Sequence, residues 1–309
     1  MSSKKQFLLV IILSLNLNFF YSNFIVKSNE IHSPRRIVAI GDLHGDFKQT
    51  IKVLHLANII DDNKNWSGSN GILVQTGDIV DRGPDCLMIY EFFEKLRKEA
   101  EKVGGKVINL FGNHELMNLQ LDWRYVTPED INTFGSKKDR IAAFSSKGYI
   151  GKSFRSSFQV VAIVEQDTLF VHGGVNLQWA NKGIEKINQL GAGLVEKCTD
   201  ALADGKQKVI AASDEISIVH PDGPLWNRKF AYNDDKATEK EVDEVLEVLK
   251  IKRMVVGHTP LGKKIKSRFH GKVYVIDVGL SEHYGSNLAA LEIIGDKVRE
   301  IYPEERDEL

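Results

Sequence analysis

Residues 36–46 read Arg36-Ile37-Val38-Ala39-Ile40-Gly41-Asp42-Leu43-His44-Gly45-Asp46. A short apolar run bounded by a turn signal reads as a buried strand, here from Arg36 to Gly41. In the extended stretch beyond it, Asp42 and His44 are two apart and face the same side. A carboxylate and an imidazole so placed can reach one cation. The flanking glycines permit a sharp exit from the strand and close approach by an anion. Asp46 can instead hold the loop by hydrogen bonds.

The same grammar recurs along the chain. A strand over residues 71–77 runs into Gly77-Asp78-Ile79-Val80-Asp81-Arg82-Gly83. Asp78 is placed to bridge two cations, and the Arg82 guanidinium offers several donors to a phosphoryl group. A strand over residues 106–111 leads to Gly112-Asn113-His114-Glu115. There the Asn113 carbonyl can meet a metal, and His114 is the best proton donor. His172-Gly173-Gly174 and Gly257-His258-Thr259-Pro260 each follow an apolar strand. A lone Gly-Asp pair is more often a turn, and a lone strand-end histidine is more often structural. Five such segments together are different. In α/β sheets the C-terminal strand ends are where sites form, and buried charges need partners or metals. The recurrence predicts a metal centre.

Around these segments strands and helices alternate. Helices are expected over residues 47–56, from Pro84 in a first turn toward Lys102, and over 239–249, where Val242, Val245, Leu246 and Leu249 share a face. Residues 160–166 and 168–171 read as a hairpin turning near Gln166-Asp167. Residues 181–195 and 196–202 have mixed helical character. Further strands are expected over 253–256, 272–277, 288–294 and 297–302. Residues 116–151 are expected to hold small helices and a surface excursion over the site. No repeat or Pro/Ser-rich linker divides the chain, so one α/β domain is expected from about 34 to 302.

Composition narrows the class further. The 309 residues carry 41 basic and 42 acidic side chains, with 42% hydrophobic and 27% charged residues. That balance argues against a disordered chain, a collagen-like repeat or a basic nucleic-acid coat. No basic-aromatic stripe points to nucleic acid. Two cysteines, Cys86 and Cys198, cannot build a disulfide-dense scaffold or a four-thiolate zinc site. Both fall in helical regions and are expected as buried free thiols.

Both ends carry address-like features. Lys4 and Lys5 precede an apolar run from Phe7 to Phe20, the shape of a signal peptide over about residues 1–28. The run is short for a membrane-spanning helix of about 20 residues, so no stable span is expected after cleavage. Residues 303–309 form an acidic tail ending Arg306-Asp307-Glu308-Leu309, a retrieval-type terminus that would engage a receptor. Together the ends predict the endoplasmic reticulum lumen or secretory pathway, where Asn65-Trp66-Ser67 could be glycosylated.

The order Asp42-x-His44, Gly77-Asp78-x-x-Asp81-Arg82-Gly83, Gly112-Asn113-His114-Glu115, His172 and Gly257-His258 resembles the calcineurin-like metallophosphoesterase superfamily. The Asp-Arg-Gly and Asn-His-Glu forms are similar to its phosphoprotein phosphatase type. Pro224-Leu225-Trp226-Asn227-Arg228 and Asp277-Val278-Gly279-Leu280-Ser281 look like the Shewanella-like protein phosphatases. The retrieval-like terminus and Asn/Lys-rich flavour point to a eukaryotic, apicomplexan-like member.

The resemblance spans about residues 36 to 294 and implies a sandwich of two mixed β-sheets flanked by helices. It assigns Asp42, His44 and Asp78 to a first divalent ion, and Asp78, Asn113, His172 and His258 to a second. Such a mixed donor set suits Mn²⁺ or an Fe/Zn pair better than an all-oxygen Mg²⁺ site. His114 would be the general acid, paired with Asp81. Arg82 and Arg228, with Asn113, would bind phosphate. The implied reaction is hydrolysis of phosphoserine and phosphothreonine in a phosphoprotein, by hydroxide bridging two ions about 3.5 to 4 Å apart. Phosphotyrosine and dinucleoside polyphosphates are the alternative substrates. The Ser-Ala-Pro-Asn-Tyr-Cys segment of many Ser/Thr phosphatases is absent, which puts toxin sensitivity and standard subunit docking in doubt.

Other residues carry less. His55 is expected to be packed or satisfied in its helix. His220 and His270 belong to loops, as does His32. His283 and Tyr284 could line the cleft. Trp123, Trp179 and Trp226 are expected to pack.

Overall fold

The computed structural model describes residues 33–206, 209 and 211–304. The leader read over residues 1–28, His32 and the terminal Arg306-Asp307-Glu308-Leu309 lie outside the described residues. Among those described, no helix is long and apolar enough to cross a membrane.

Two mixed sheets form the frame. One has six strands in the order β11-β10-β1-β2-β3-β4: β1 is Ile37–Ile40, β2 Ile72–Gln75, β3 Lys106–Leu110, β4 Phe158–Gln159, β10 Ala290–Ile294 and β11 Lys297–Ile301. The other has five in the order β5-β6-β7-β9-β8: β5 is Val161–Val164, β6 Thr168–Val171, β7 Arg253–Val256, β8 Lys266–Arg268 and β9 Val273–Val275. β1 through β4 pair in parallel, while β10 runs antiparallel to β1. In the second sheet β6, β7 and β9 are parallel. This is the sandwich of mixed sheets that the sequence implied.

Every residue of β1, β2, β6 and β7 is buried. Alternation along each strand explains why both faces are apolar. Ile37 and Ala39 of β1, Ile72 and Val74 of β2, Phe170 of β6 and Val255 of β7 join one core between the sheets. Val38, Ile40, Leu73, Leu169 and Met254 point the other way, into a core shared with helices. Helix Phe47–Leu56 follows β1 and begins where the Asp46 carboxylate accepts from the Gln49 N–H at 2.9 Å. Helix Cys86–Glu101 follows β2. Because parallel strands need crossovers, the C-terminal ends of β1, β2 and β3 open on one edge.

Several expectations shift in detail. Pro84 lies just outside its helix, which starts at Cys86 with Asp85 as the capping residue. Residues 184–203 form one continuous helix instead of two segments. Its Gly191 lets Val160 pack close, for a Cβ there would lie 2.2 Å from Val160 Cγ2. Lys266–Arg268 forms a short, exposed edge strand that its polar sequence concealed. His55 is exposed and hydrogen-bonded to Asp62 at 2.8 Å, so it is satisfied but not packed. Cys86 and Cys198 are buried free thiols, as expected.

The stretch 116–151 holds the small helices expected, and its residues 120–129 stay exposed or half-buried beside the site, where Tyr125 packs against His114 at 5.1 Å, while later side chains anchor it to the core. These helices are Asn113–Leu119, Pro128–Thr133, Lys137–Phe144 and Tyr149–Ser157. Thr127 and Ser136 cap the second and third. Phe144 and Phe154 are buried, and Phe154 stacks edge-on against Phe111 at 5.2 Å and Tyr90 at 5.5 Å.

Candidate metal centre

Each sequence-predicted ligand leaves the C-terminal end of a strand: Asp42 and His44 follow β1, Asp78 follows β2, Asn113 follows β3, His172 follows β6 and His258 follows β7. Both sheets therefore deliver side chains to one place. The Asp78 carboxylate is its middle. Asp78 Oδ2 lies 3.3 Å from His172 Nε2 and 3.8 Å from the Nε2 atoms of both His44 and His114. Two groups form around it, His44 with Asp78 and His114, and Asp78 with His172 and His258, their ligand atoms all within 4.8 Å of one another in each. Asn113 joins the second group through Oδ1, 3.0 Å from His172 Nε2. Asp42 joins the first, its Oδ2 4.0 Å from His44 Nε2.

Backbone contacts aim these rings. His172 Nδ1 donates to the Thr76 carbonyl at 2.9 Å, and His44 Nδ1 donates to that of Val80 at 3.0 Å. Each Nε2 is thereby left facing Asp78, the arrangement of a histidine prepared to ligate. The Asp42 carboxylate accepts from the His258 backbone N–H at 3.1 and 3.2 Å. That approach requires Gly257, where a Cβ would fall 2.5 Å from Asp42 Oδ1. Gly112 is tighter still, since its Cβ would sit 2.0 Å from Asp78 Oδ1.

Strain concentrates here as well. His44, Asp78, Asp81, Arg82 and His258 all have left-handed backbone, with φ of 46°, 57°, 72°, 71° and 65°. Non-glycine residues avoid this region, and each such residue costs about 1–3 kcal/mol. Glu115 helps hold the strained Asp78 loop. Its fully buried carboxylate accepts from the N–H groups of Gly112 at 2.7 Å, Ile79 at 2.8 Å and Asp78 at 2.9 Å.

Electrostatics separates the histidines by role. Burial pulls His44 down to about 4. Burial, with His172 and Arg228 nearby, holds His258 well below its usual value. Both are neutral imidazoles, the form that binds metals. His114 goes the other way: burial lowers it, but the charges of Asp78 and Asp81 outweigh burial and raise it. Its Nδ1 is 2.6 Å from Asp81 Oδ2, a contact that favours the imidazolium, the form that carries a proton on both ring nitrogens.

The donor set fits divalent cations. His258 Nε2 is buried with no hydrogen-bond partner. Burial and the neighbouring charges of Asp277 and Asp78 push Asp42 well above the carboxylate range. Asp277 itself is pushed up to about 6 by burial. Buried acids that repel one another beside an unpartnered imidazole need positive charge from outside the chain.

Around the centre lie the two arginines, Arg82 and Arg228, that were expected to bind phosphate. Arg82 stacks on the Tyr125 ring, 3.8 Å from its centroid, and stands 5.9 Å from that of Tyr284. Arg228 Nη1 donates to the His258 carbonyl at 2.8 Å and to Thr259 Oγ1 at 3.1 Å. A cleft of about 410 Å³ is lined by His44, Lys48, Arg82, Ser281 and His283. Of the His283-Tyr284 pair, His283 lines the cleft, and Tyr284 packs against His44 at 5.1 Å. Asp46 also lines the cleft, accepting from the Glu282 N–H at 2.8 Å. Trp226 packs edge-on against His258 at 5.4 Å.

Sequence reasoning gave Glu115 and Asp277 no role. For Asp277 the signal was present, since it also follows an apolar strand, β9. For Glu115 the signal was its place directly after His114, which spacing alone could not separate from a surface acid.

A site of clustered histidines and carboxylates at the strand ends of a two-sheet sandwich defines a metallophosphoesterase. A model of the calcineurin-like phosphoesterase family matches residues 35–262. The Shewanella-like protein phosphatase 2 of Arabidopsis thaliana is 32% identical, over 88% of this chain and 78% of its own. Shewanella-like protein phosphatase 1 of Plasmodium berghei is also 32% identical, over 84% and 71%. Among solved structures, a cold-active protein tyrosine phosphatase of a psychrophilic Shewanella superposes with a TM-score of 0.73 at 26% identity, covering 86% of this chain and 77% of that one. The chain belongs to the calcineurin-like phosphoesterases, within their Shewanella-like phosphatase branch, and is a phosphoric monoester hydrolase.

Proposed function

We propose that this enzyme hydrolyses phosphoserine and phosphothreonine in proteins. In this reading Asp42, His44 and Asp78 hold one divalent cation, and Asp78, Asn113, His172 and His258 hold a second. The bound pair would supply Lewis-acid activation of water and neutralise phosphate charge. Arg82 and Arg228, with Asn113, bind the phosphoryl oxygens. Tyr125 beneath Arg82 keeps the guanidinium plane in place. As the P–O bond breaks, the departing alkoxide takes a proton from His114 Nε2. Asp81 then faces the imidazole it has oriented.

The observation that carries this reading is the Asp81–His114 contact of 2.6 Å beside Asp78. It gives one histidine a proton to deliver while His44 and His258 stay neutral. Phosphotyrosine is favoured by a different observation, the aromatic rings of Tyr125 and Tyr284 near Arg82. The similar Shewanella enzyme is named a tyrosine phosphatase. A matched phosphopeptide panel under defined Mn²⁺ loading decides between them. Turnover of phosphoserine and phosphothreonine peptides above phosphotyrosine is expected. Activity restricted to phosphotyrosine, or to small phosphate esters and dinucleoside polyphosphates, would remove the proposal.

A further inference from the structure

Behind the Asp81–His114 pair runs a buried polar chain that the reaction chemistry does not itself require. Asn118 lies one helical turn beyond His114 and is 2% exposed. Its Nδ2 donates to Asp81 Oδ1 at 2.9 Å and to the His114 carbonyl at 2.9 Å. Its Oδ1 accepts from Arg140 Nη1 at 2.8 Å. Arg140 is 1% exposed and pairs through Nε with Asp130 Oδ2 at 2.9 Å. The rings of Phe144, Trp123 and Phe134 surround the guanidinium at 4.9, 5.0 and 5.5 Å.

The polarity of this chain runs one way. An arginine can only donate, so it forces the Asn118 oxygen toward itself. The amide hydrogens must then point at Asp81 and the His114 carbonyl. A flipped Asn118 would set its oxygen against the Asp81 carboxylate and two donors against each other. One Asp81 oxygen is thus claimed by Asn118, which leaves the other for His114 Nδ1. Burying an arginine costs several kcal/mol unless its partners are well placed, and a paired apolar replacement often serves stability as well. The arrangement therefore suits fixing a geometry better than adding stability.

We propose that Asn118 is a positioning residue for the acid, and that Arg140, held by Asp130, sets the orientation of its amide. Asn118 touches neither substrate nor cation in this scheme. It fixes Asp81, and through Asp81 the direction of the His114 ring. The helices Pro128–Thr133 and Lys137–Phe144 are thereby tied to the chemistry. The inference rests on the reading of His114 as general acid.

A double-mutant cycle tests it with the full-length, Mn²⁺-loaded enzyme. Asn118→Ala, His114→Asn and the double variant are assayed on a dinitrophenyl phosphate and on an alkyl phosphate, with metal content and Tm measured in parallel. Asn118→Ala should lower kcat on the alkyl ester by about 10- to 100-fold, the range for partners that orient a functional group. It should leave KM and metal content within about twofold, and the loss should shrink for the better leaving group. In the His114→Asn background the same change should cost nothing further. Asn118→Ser, which keeps one donor, should recover part of the loss, and it carries the same test if the alanine variant does not fold. Equal loss on both esters, or full additivity with His114→Asn, overturns the positioning role. So does an unchanged kcat on the alkyl ester. If His114→Asn itself shows no leaving-group dependence, the acid assignment has failed instead.

Discussion

His172 Nε2 stands 3.3 Å from Asp78 Oδ2, the same oxygen that lies 3.8 Å from His44 Nε2. The two histidines come from different sheets, one after β6 and one after β1. A single carboxylate therefore joins the donors of both halves of the sandwich. Four consequences for the surrounding residues can be measured.

The first concerns the proton donor. Replacing His114 with Asn keeps a polar amide near the position of Nδ1 but removes the proton on Nε2. Turnover of an alkyl phosphate should fall by about 10²- to 10⁴-fold, with metal content unchanged. The loss should be smaller for nitrophenyl esters, whose oxygen leaves without help. Equal losses across a leaving-group series would count against proton donation.

Asp81 sets the pH range over which that donor works. Burial lowers the His114 pKa, but Asp78 and Asp81 outweigh it and raise it. The acid is active when protonated, so activity is lost as pH rises through this pKa. Asp81→Asn removes one of the raising charges. The alkaline limb of kcat should therefore move to lower pH, as read from a pH–rate profile on an alkyl phosphate. A limb that stays in place would detach Asp81 from His114.

Glu115 predicts a stability effect. Gln in its place offers one carbonyl acceptor and turns an NH₂ toward N–H groups that now meet a carboxylate. At least one of the Gly112, Asp78 and Ile79 donors is then left unpaired. Denaturant unfolding should show a loss of about 1–3 kcal/mol. Unchanged stability would mean that water or the relaxed loop replaces the carboxylate.

Gly112 is constrained by space and not by a left-handed angle. A Cβ there would meet Asp78 Oδ1 at 2.0 Å and the Asp78 backbone nitrogen at 2.4 Å. Gly112→Ala should destabilise the fold by about 1–3 kcal/mol through overpacking and should displace Asp78. Activity should fall more than stability does, measured as kcat at a temperature where the variant is fully folded. An active, equally stable alanine variant would contradict the packing described.

Much of the site was legible because its chemistry sits in single residues at predictable places. Asp42, Asp78, Asn113, His172 and His258 each follow a strand, and a metal-capable residue beside a glycine at such an end survives any uncertainty about neighbours. Helix Phe47–Leu56 was legible too, and the structure adds Asp46 as its cap. Arg140 was not. In Lys137-Lys138-Asp139-Arg140 it looks like one of four charged surface residues, yet it is buried through partners 10 and 22 residues away, Asp130 and Asn118. Hydrophobic periodicity sees apolar side chains and cannot register a buried charge whose partner lies on another helix. The continuous helix Ile184–Ala203 was read as two segments meeting between residues 195 and 196, yet Cys198 and Leu202 carry the buried face of Leu190, Leu194 and Val195 across that point.

The bridging place of Asp78 is tested most directly by counting metals. Purified enzyme and Asp78→Asn, each equilibrated with Mn²⁺ and freed of excess, are compared by elemental analysis per chain and by kcat on a phosphopeptide. The wild type should carry two ions per chain. The variant should lose occupancy at both sites, and its turnover should fall by more than about 100-fold, beyond the cost of an outer-shell partner. Two ions retained with full turnover in Asp78→Asn would contradict the bridge.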